Sequence, residues 1–129
     1  MFMLQAKVWT NIFFIIPLVI SFQNELYWYS AIVGAVLIFS MIFHLLNENR
    51  ILWYVDTLLA VVLILCNLYL LYLGNWLLPY SVIAIAFAIA ALFICFKKTD
   101  NKNYNLYHGL WHALSAVVCI FCLITLILS

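Results

Sequence analysis

The sequence predicts an all-α fold, a polytopic membrane helix bundle of about five transmembrane helices in a single domain that covers residues 1–129. Two observations lead to this prediction. Hydrophobic residues make up 71% of the chain and charged residues only 7%, whereas a soluble domain carries roughly 25% charged residues. The apolar residues also form continuous runs, which are atypical of the alternating strands of a membrane barrel. Each run approaches the roughly 20 residues that a helix needs to cross the hydrocarbon core.

The predicted spans follow one another with only short polar loops between them. Span 1 begins at Lys7 and is interpreted as a retained helix, because no small-residue cleavage site of a signal peptide follows it. Gly74 and Asn75 form the turn before span 4, and Pro79 falls in the first turn of that span, where proline is tolerated. The predicted ranges are 7–22, 27–46, 51–73, 76–96 and 104–128.

The basic residues predict how the chain is oriented in a membrane. All of them fall on the side that holds the N-terminus, namely Lys7, Arg50, Lys97, Lys98 and Lys102. The other side carries Glu25 as its charged loop residue. Since Lys and Arg concentrate in cytoplasmic loops, the N-terminus is predicted to be cytoplasmic and the C-terminus to lie on the opposite side. The net charge of only +1 gives no indication of nucleic-acid binding.

The cysteines indicate packing rather than chemistry. All of them fall inside the apolar runs, where a free thiol behaves as a small hydrophobic group: Cys66, Cys95, Cys119 and Cys122. The C-x-x-C of the last span has no second pair to complete a metal site. No disulfide framework is predicted either.

Four ionisable side chains lie inside the predicted spans, where they are costly and become candidates for function. They belong to spans 2, 3 and 5, and all lie near the cytoplasmic ends of those spans: His44, Asp56, His108 and His112. At 1.5 Å per residue, their depth is on the order of 5–12 Å. Position along the chain does not by itself require a common depth, so the coincidence predicts one shared site.

The spacing of the histidines predicts a metal centre. His108 and His112 are one helical turn apart on one face, a geometry that can chelate a single ion. His44 would add a third nitrogen from a neighbouring span. Three protein ligands with a fourth position left for water are typical of catalytic zinc. Asp56 is placed to accept a hydrogen bond from that water or to orient a histidine, and Ser40 shares the helix face of His44.

The same residues resemble a known group of proteins. Ser40-x-x-x-His44 in one span, an aspartate at the start of the next, and His108-x-x-x-His112 in the last span resemble a superfamily of membrane hydrolases. That superfamily joins the alkaline ceramidases, the progestin/adiponectin receptor family and the Per1-type lipid remodelling proteins. The segment 9–17 is similar to the first span of alkaline ceramidases.

The resemblance implies a zinc-dependent hydrolase that acts on a lipid amide (ceramide-like) or a lipid ester. Its three histidines would bind Zn²⁺, while Asp56 and Ser40 would assist at the zinc-bound water. The chain departs from the group in having about five spans instead of seven, which implies a substrate cavity with thinner walls. It also lacks acidic residues before span 1, so calcium regulation is not expected. A shortened bundle could form a homo-oligomer to complete its cavity.

Three other functions remain open at the level of sequence. The chain could be a non-enzymatic receptor or remodelling protein of the same superfamily that keeps its zinc. Histidines from two spans could ligate haem iron. Histidine and aspartate could also form the proton relay of a small transporter. In each case the partners are the bilayer and its lipids.

Overall fold

The computed structural model describes residues 6–46, 49–97 and 103–129. In these ranges the secondary structure is helical and no strand occurs, so the predicted all-α class is confirmed. The first three elements run end to end and act as one rod, which gives five rods in all. The elements are α1 (Ala6–Trp9), a 3-10 helix (Thr10–Phe14), α2 (Ile15–Gln23), α3 (Tyr27–Leu45), α4 (Arg50–Leu73), α5 (Tyr80–Phe96) and α6 (Tyr104–Leu128).

Three of these helices, α3, α4 and α6, are long and apolar enough to cross a membrane. The first rod (Lys7–Gln23) and α5 are also apolar but shorter. The 17 residues of α5 are close to the lower limit for a span. The orientation predicted from the basic residues rests partly on Lys98 and Lys102, which lie outside the described residues.

The first rod is interrupted by its 3-10 segment, and Pro17 supplies the reason. Proline has no N–H to donate to the carbonyl of Phe13, four residues earlier, and its ring crowds that carbonyl. The 3-10 helix ends at Phe14, immediately after the crowded carbonyl, and regular α-helix resumes at Ile15. The sequence prediction of a single uniform helix over 7–22 missed this change of pitch.

The turn before α5 is longer than the sequence predicted, because α5 begins at Tyr80 rather than Trp76. Asn75 and Trp76 have φ angles of 51° and 54°, which a continuing right-handed helix cannot contain. Gly74 marks the turn for a different reason. A Cβ at this position would lie 2.7 Å from the carbonyl oxygen of Thr125, so only glycine lets α4 approach α6 this closely.

Helix α6 is the centre of the bundle, since it packs against α5, α4 and the first rod. Helix α3 packs against α4 and α2. The sequence interpretation of two cysteines as packing groups is supported, because Cys119 and Cys122 are fully buried in the core as free thiols. One end of the bundle contains the end of α3 and the beginnings of α4 and α6. We call it the histidine end.

Candidate metal centre and adjoining cleft

Three histidines meet at the histidine end, as the sequence predicted. His44 is the penultimate residue of α3, and His108 and His112 occupy the first turns of α6. The Nε2 atom of His44 lies 3.1 Å from Nε2 of His108 and 3.4 Å from Nε2 of His112. Ligand nitrogens from the three residues all lie within 4.8 Å of one another, so the group could hold a metal ion.

Two of the three nitrogen separations are close to the edge of a tetrahedral coordination sphere, and the third is no longer than 4.8 Å. A Zn–N bond of roughly 2.0–2.1 Å places two nitrogen ligands about 3.3–3.4 Å apart along a tetrahedral edge. The two Nε2 separations to His44, 3.1 and 3.4 Å, bracket that edge. Imidazole nitrogen suits zinc, copper, iron and nickel, and the three histidines include no thiolate or carboxylate that would narrow the choice.

Hydrogen bonds among the three imidazole rings explain this arrangement less well than a bound metal ion does. A ring nitrogen of neutral histidine carries either one proton or one lone pair, so it can take part in only one good hydrogen bond. Both short contacts converge on the same atom, Nε2 of His44. At least one of these two short contacts therefore cannot be a good hydrogen bond. A cation bound between the rings would use all three lone pairs at once.

Aromatic rings hold each imidazole in place. Phe14 makes an edge contact with His112, and Phe43 packs beside His44. Tyr104 stacks on His108 with ring centroids 5.3 Å apart. Tyr104 was not singled out from the sequence. The spacing of four residues between Tyr104 and its histidine was the signal that could have identified it.

The predicted assisting residues border the same site. Asp56 from α4 and Ser40 from α3 line a cleft of about 680 Å³ together with His112. Asp56 lies beside Ser40. It is not part of the histidine group that could ligate an ion.

The Ser40 hydroxyl is fully buried, yet it makes no hydrogen bond of 3.5 Å or less to any residue that the structure describes. A buried hydroxyl without a full hydrogen bond is destabilising, and the neighbouring Asp56 carboxylate offsets only part of that cost. Because Ser40 lines a cleft that Asp56 and His112 also line, a polar ligand bound there would need only a small movement to reach this hydroxyl. The site therefore contains a polar group that the protein itself does not fully satisfy.

The rest of the cleft is apolar and reaches the outside of the bundle. It extends along α4 from Asp56 to Asn67, where small residues such as Ala60 leave space. Helices α4 and α5 form opposite walls without close backbone packing between them. Ile64 on α4 and Leu92 on α5 line the cleft and are also exposed, so the opening lies between them.

Comparisons with known proteins neither support nor oppose the resemblance seen in the sequence. No family model, no curated protein and no solved structure matches this chain. The geometry itself weakens one alternative. A haem would need a flat slot between its two ligands, and the 3.1 Å between the Nε2 atoms of His44 and His108 leaves no room for a porphyrin.

Proposed function

We propose that this chain is a zinc-dependent hydrolase within the membrane, which cleaves an amide or ester bond of a lipid. We further propose that it belongs to the superfamily of alkaline ceramidases, progestin/adiponectin receptors and Per1-type proteins. The observation that carries the proposal is the convergence of three imidazole nitrogens beside Asp56 and the unsatisfied hydroxyl of Ser40.

The donor set fits a catalytic zinc site. Three histidines hold the ion and leave one coordination position for a reactant, whereas a structural site fills all four positions with protein ligands. Zinc in such a site supplies Lewis-acid chemistry, which polarises a carbonyl group and makes water acidic enough to attack near neutral pH. Phe14, Phe43 and Tyr104 restrict the rotation of the imidazoles and so favour a fixed ligand geometry.

Asp56 and Ser40 would perform the proton transfer and charge stabilisation. The Asp56 carboxylate would accept a proton from the attacking water and return it to the departing amine or alcohol. The Ser40 hydroxyl would donate a hydrogen bond to the carbonyl oxygen as negative charge develops on it. Both side chains line the cleft that contains His112, which is the location these roles require.

The depth of the site supports a lipid substrate. His108 and His112 lie four and eight residues after the start of α6, which corresponds to roughly 6 and 12 Å along the helix axis. In a bilayer this level is close to the linkage between headgroup and acyl chain. An acyl chain would occupy the apolar cleft and reach it through the opening between α4 and α5.

Metal analysis and a lipid panel test the proposal together. We expect about one zinc ion per purified wild-type chain and very little in His108→Ala, because two imidazoles alone hold the ion weakly. In vesicles that contain a series of lipid amides and esters, wild type should release fatty acid. Zinc-free wild-type protein would refute the metal site, and zinc without hydrolysis would favour the non-enzymatic alternative.

The isosteric variant Asp56→Asn isolates the role of the carboxylate. It should keep its zinc and lose roughly 10²–10⁴-fold in turnover, which is the usual contribution of a general base. Glu25→Gln is the matched control, because it makes the same chemical change at a residue that lines neither the cleft nor the histidine group. Turnover of Asp56→Asn equal to that of Glu25→Gln would exclude the general-base role.

A further inference from the structure

The histidine group lies between two cavities of different chemistry. His112 borders the apolar cleft described above, and His108 borders a second cavity of about 350 Å³, which we call the side pocket. The end of α5 and the first turns of α6 line the side pocket. Trp111 borders both cavities and separates them. A molecule bound at the histidines could therefore extend in two directions.

The side pocket presents a positive charge and phenol hydroxyl groups. Its lining includes Lys97, Tyr104 and Tyr107, and none of the described residues that line it is a carboxylate. The Nζ atom of Lys97 lies 3.2 Å from the hydroxyl of Tyr107 and 4.7 Å above its ring centre. A second ammonium lies near Tyr104, since Nζ of Lys7 is 5.7 Å from its ring centre, but Lys7 does not line the pocket.

A lysine at a helix end often serves only to fix the helix at the membrane surface. Arg50 shows that simpler arrangement, because it lies 5.9 Å above Tyr54 of its own helix and borders neither cavity. Lys97 differs, because it contacts a tyrosine of another helix and forms part of a cavity wall next to a predicted metal ligand. The positive charge of Lys97 therefore lies where an anionic group bound in the pocket would be attracted to it.

We infer that the side pocket binds the phosphate of an anionic lipid headgroup while the tail of the same lipid occupies the apolar cleft. This inference rests on the proposed function, because it names the substrate class of the same metal centre. Lys97 and the phenol of Tyr107 are both hydrogen-bond donors, and a phosphate offers several oxygen acceptors to them. A neutral sphingoid or glyceride headgroup would leave the ammonium of Lys97 without a counter-charge.

A pair of ether lipids tests the inference without any hydrolysis. Hexadecylglycerol and its 3-phosphate have the same tail, and neither contains an ester or amide of a fatty acid. Binding to the purified chain is measured in one detergent by calorimetry. We expect the phosphate lipid to bind about tenfold or more tightly, as one charge-assisted hydrogen bond allows.

Two variants and a water-soluble anion complete the experiment. Lys97→Gln should abolish the preference for the phosphate lipid, whereas Arg50→Gln should keep it. Inorganic phosphate at the same concentration should not displace the lipid. Equal binding of the two lipids by wild type, or a preference that survives Lys97→Gln, would refute the inference. Inorganic phosphate that binds as tightly as the lipid would show that the pocket recognises a free anion instead.

The outcome is separable from that of the proposed function. If wild-type protein discriminates between the ether lipids but hydrolyses no lipid, the headgroup-pocket inference is supported and the proposed hydrolase function is refuted. If it hydrolyses lipids but binds both ether lipids equally, the proposed hydrolase function is supported and the headgroup-pocket inference is refuted.

Discussion

The two halves of the bundle both bury polar side chains, but only the half away from the histidine end satisfies them internally. In that half, the Tyr29 hydroxyl donates to Oδ1 of Asn67 at 2.6 Å, and the Asn67 amide donates to the sulfur of Cys119 at 3.5 Å. Ser21 and Ser30 share a hydrogen bond of 2.7 Å. We call these contacts the far network. They join α3 to α4, α4 to α6 and α2 to α3.

The histidine end buries polar atoms that the protein does not satisfy. The Ser40 hydroxyl and Oδ1 of Asn11 are buried without a hydrogen bond of 3.5 Å or less to the described residues. Two ring nitrogens approach a single atom of His44 that can bond well to only one of them. Buried polar groups that satisfy one another hold helices together. Groups that converge and remain unsatisfied indicate a site for a ligand.

The largest expected difference between the two halves is the response to zinc. Free zinc at 100 times its dissociation constant should stabilise wild type by about 2.7 kcal/mol, since only the folded chain assembles the site. His112→Ala should lose this stabilisation, and Tyr29→Phe in the far network should keep it. Thermal unfolding in detergent, followed by tryptophan fluorescence with and without zinc, measures the effect. Equal zinc responses of the two variants would contradict the division into halves.

The far network should respond to mutation as a structural hydrogen-bond chain. Tyr29→Phe should cost about 1–3 kcal/mol, because it leaves the buried oxygen of Asn67 without its donor. The double variant Tyr29→Phe/Asn67→Leu should recover part of that loss, because no buried polar group then remains unpaired. Denaturation of both variants measures the difference. A double variant that is less stable than Tyr29→Phe alone would show a role of Asn67 beyond this hydrogen bond.

The smallest expected effect comes from a pair of serines. Ser40→Ala should change stability by no more than about 0.5 kcal/mol of either sign, since the loss of a weak contact with Asp56 is offset by the removal of a buried hydroxyl that has no hydrogen bond of 3.5 Å or less. Ser30→Ala should cost about 1 kcal/mol, since it removes bonds to Ser21 and to the carbonyl of Leu26. The same denaturation experiment compares them. A larger loss for Ser40→Ala would mean that this hydroxyl is structural.

Much of the helical framework could be predicted from composition alone. The bounds of α6 agree with the predicted range 104–128, because its apolar run is long and unbroken. The start of α5 was predicted four residues too early, because the left-handed backbone at Asn75 and Trp76 leaves no clear mark in an apolar sequence. Gly74 was recognised as a turn residue, but its close approach to Thr125 depends on how two distant helices pack.

The candidate site also has a part that the sequence predicted and a part that it did not. The spacing of His108 and His112 made a chelating pair predictable, because one helical turn fixes their relation wherever the helix lies. The side pocket was not predicted, since Lys97 and Tyr107 become neighbours only after α5 and α6 pack together. The hydrogen bond between Tyr29 and Asn67 likewise depends on how α3 packs against α4, because these residues are 38 positions apart.

The sequence by itself determined that this chain is helical and strongly apolar, and that two imidazoles share one face, whereas it predicted about five spans and the structure has three helices long and apolar enough to cross a membrane. These properties depend on local periodicity and on hydrophobicity, which each segment carries alone. Only the tertiary structure decided that His44 reaches that pair, because the contact joins residues 64 positions apart. It also decided that Ser30 is bonded while Ser40 is not, because the partner of a buried hydroxyl is set by the neighbouring helix.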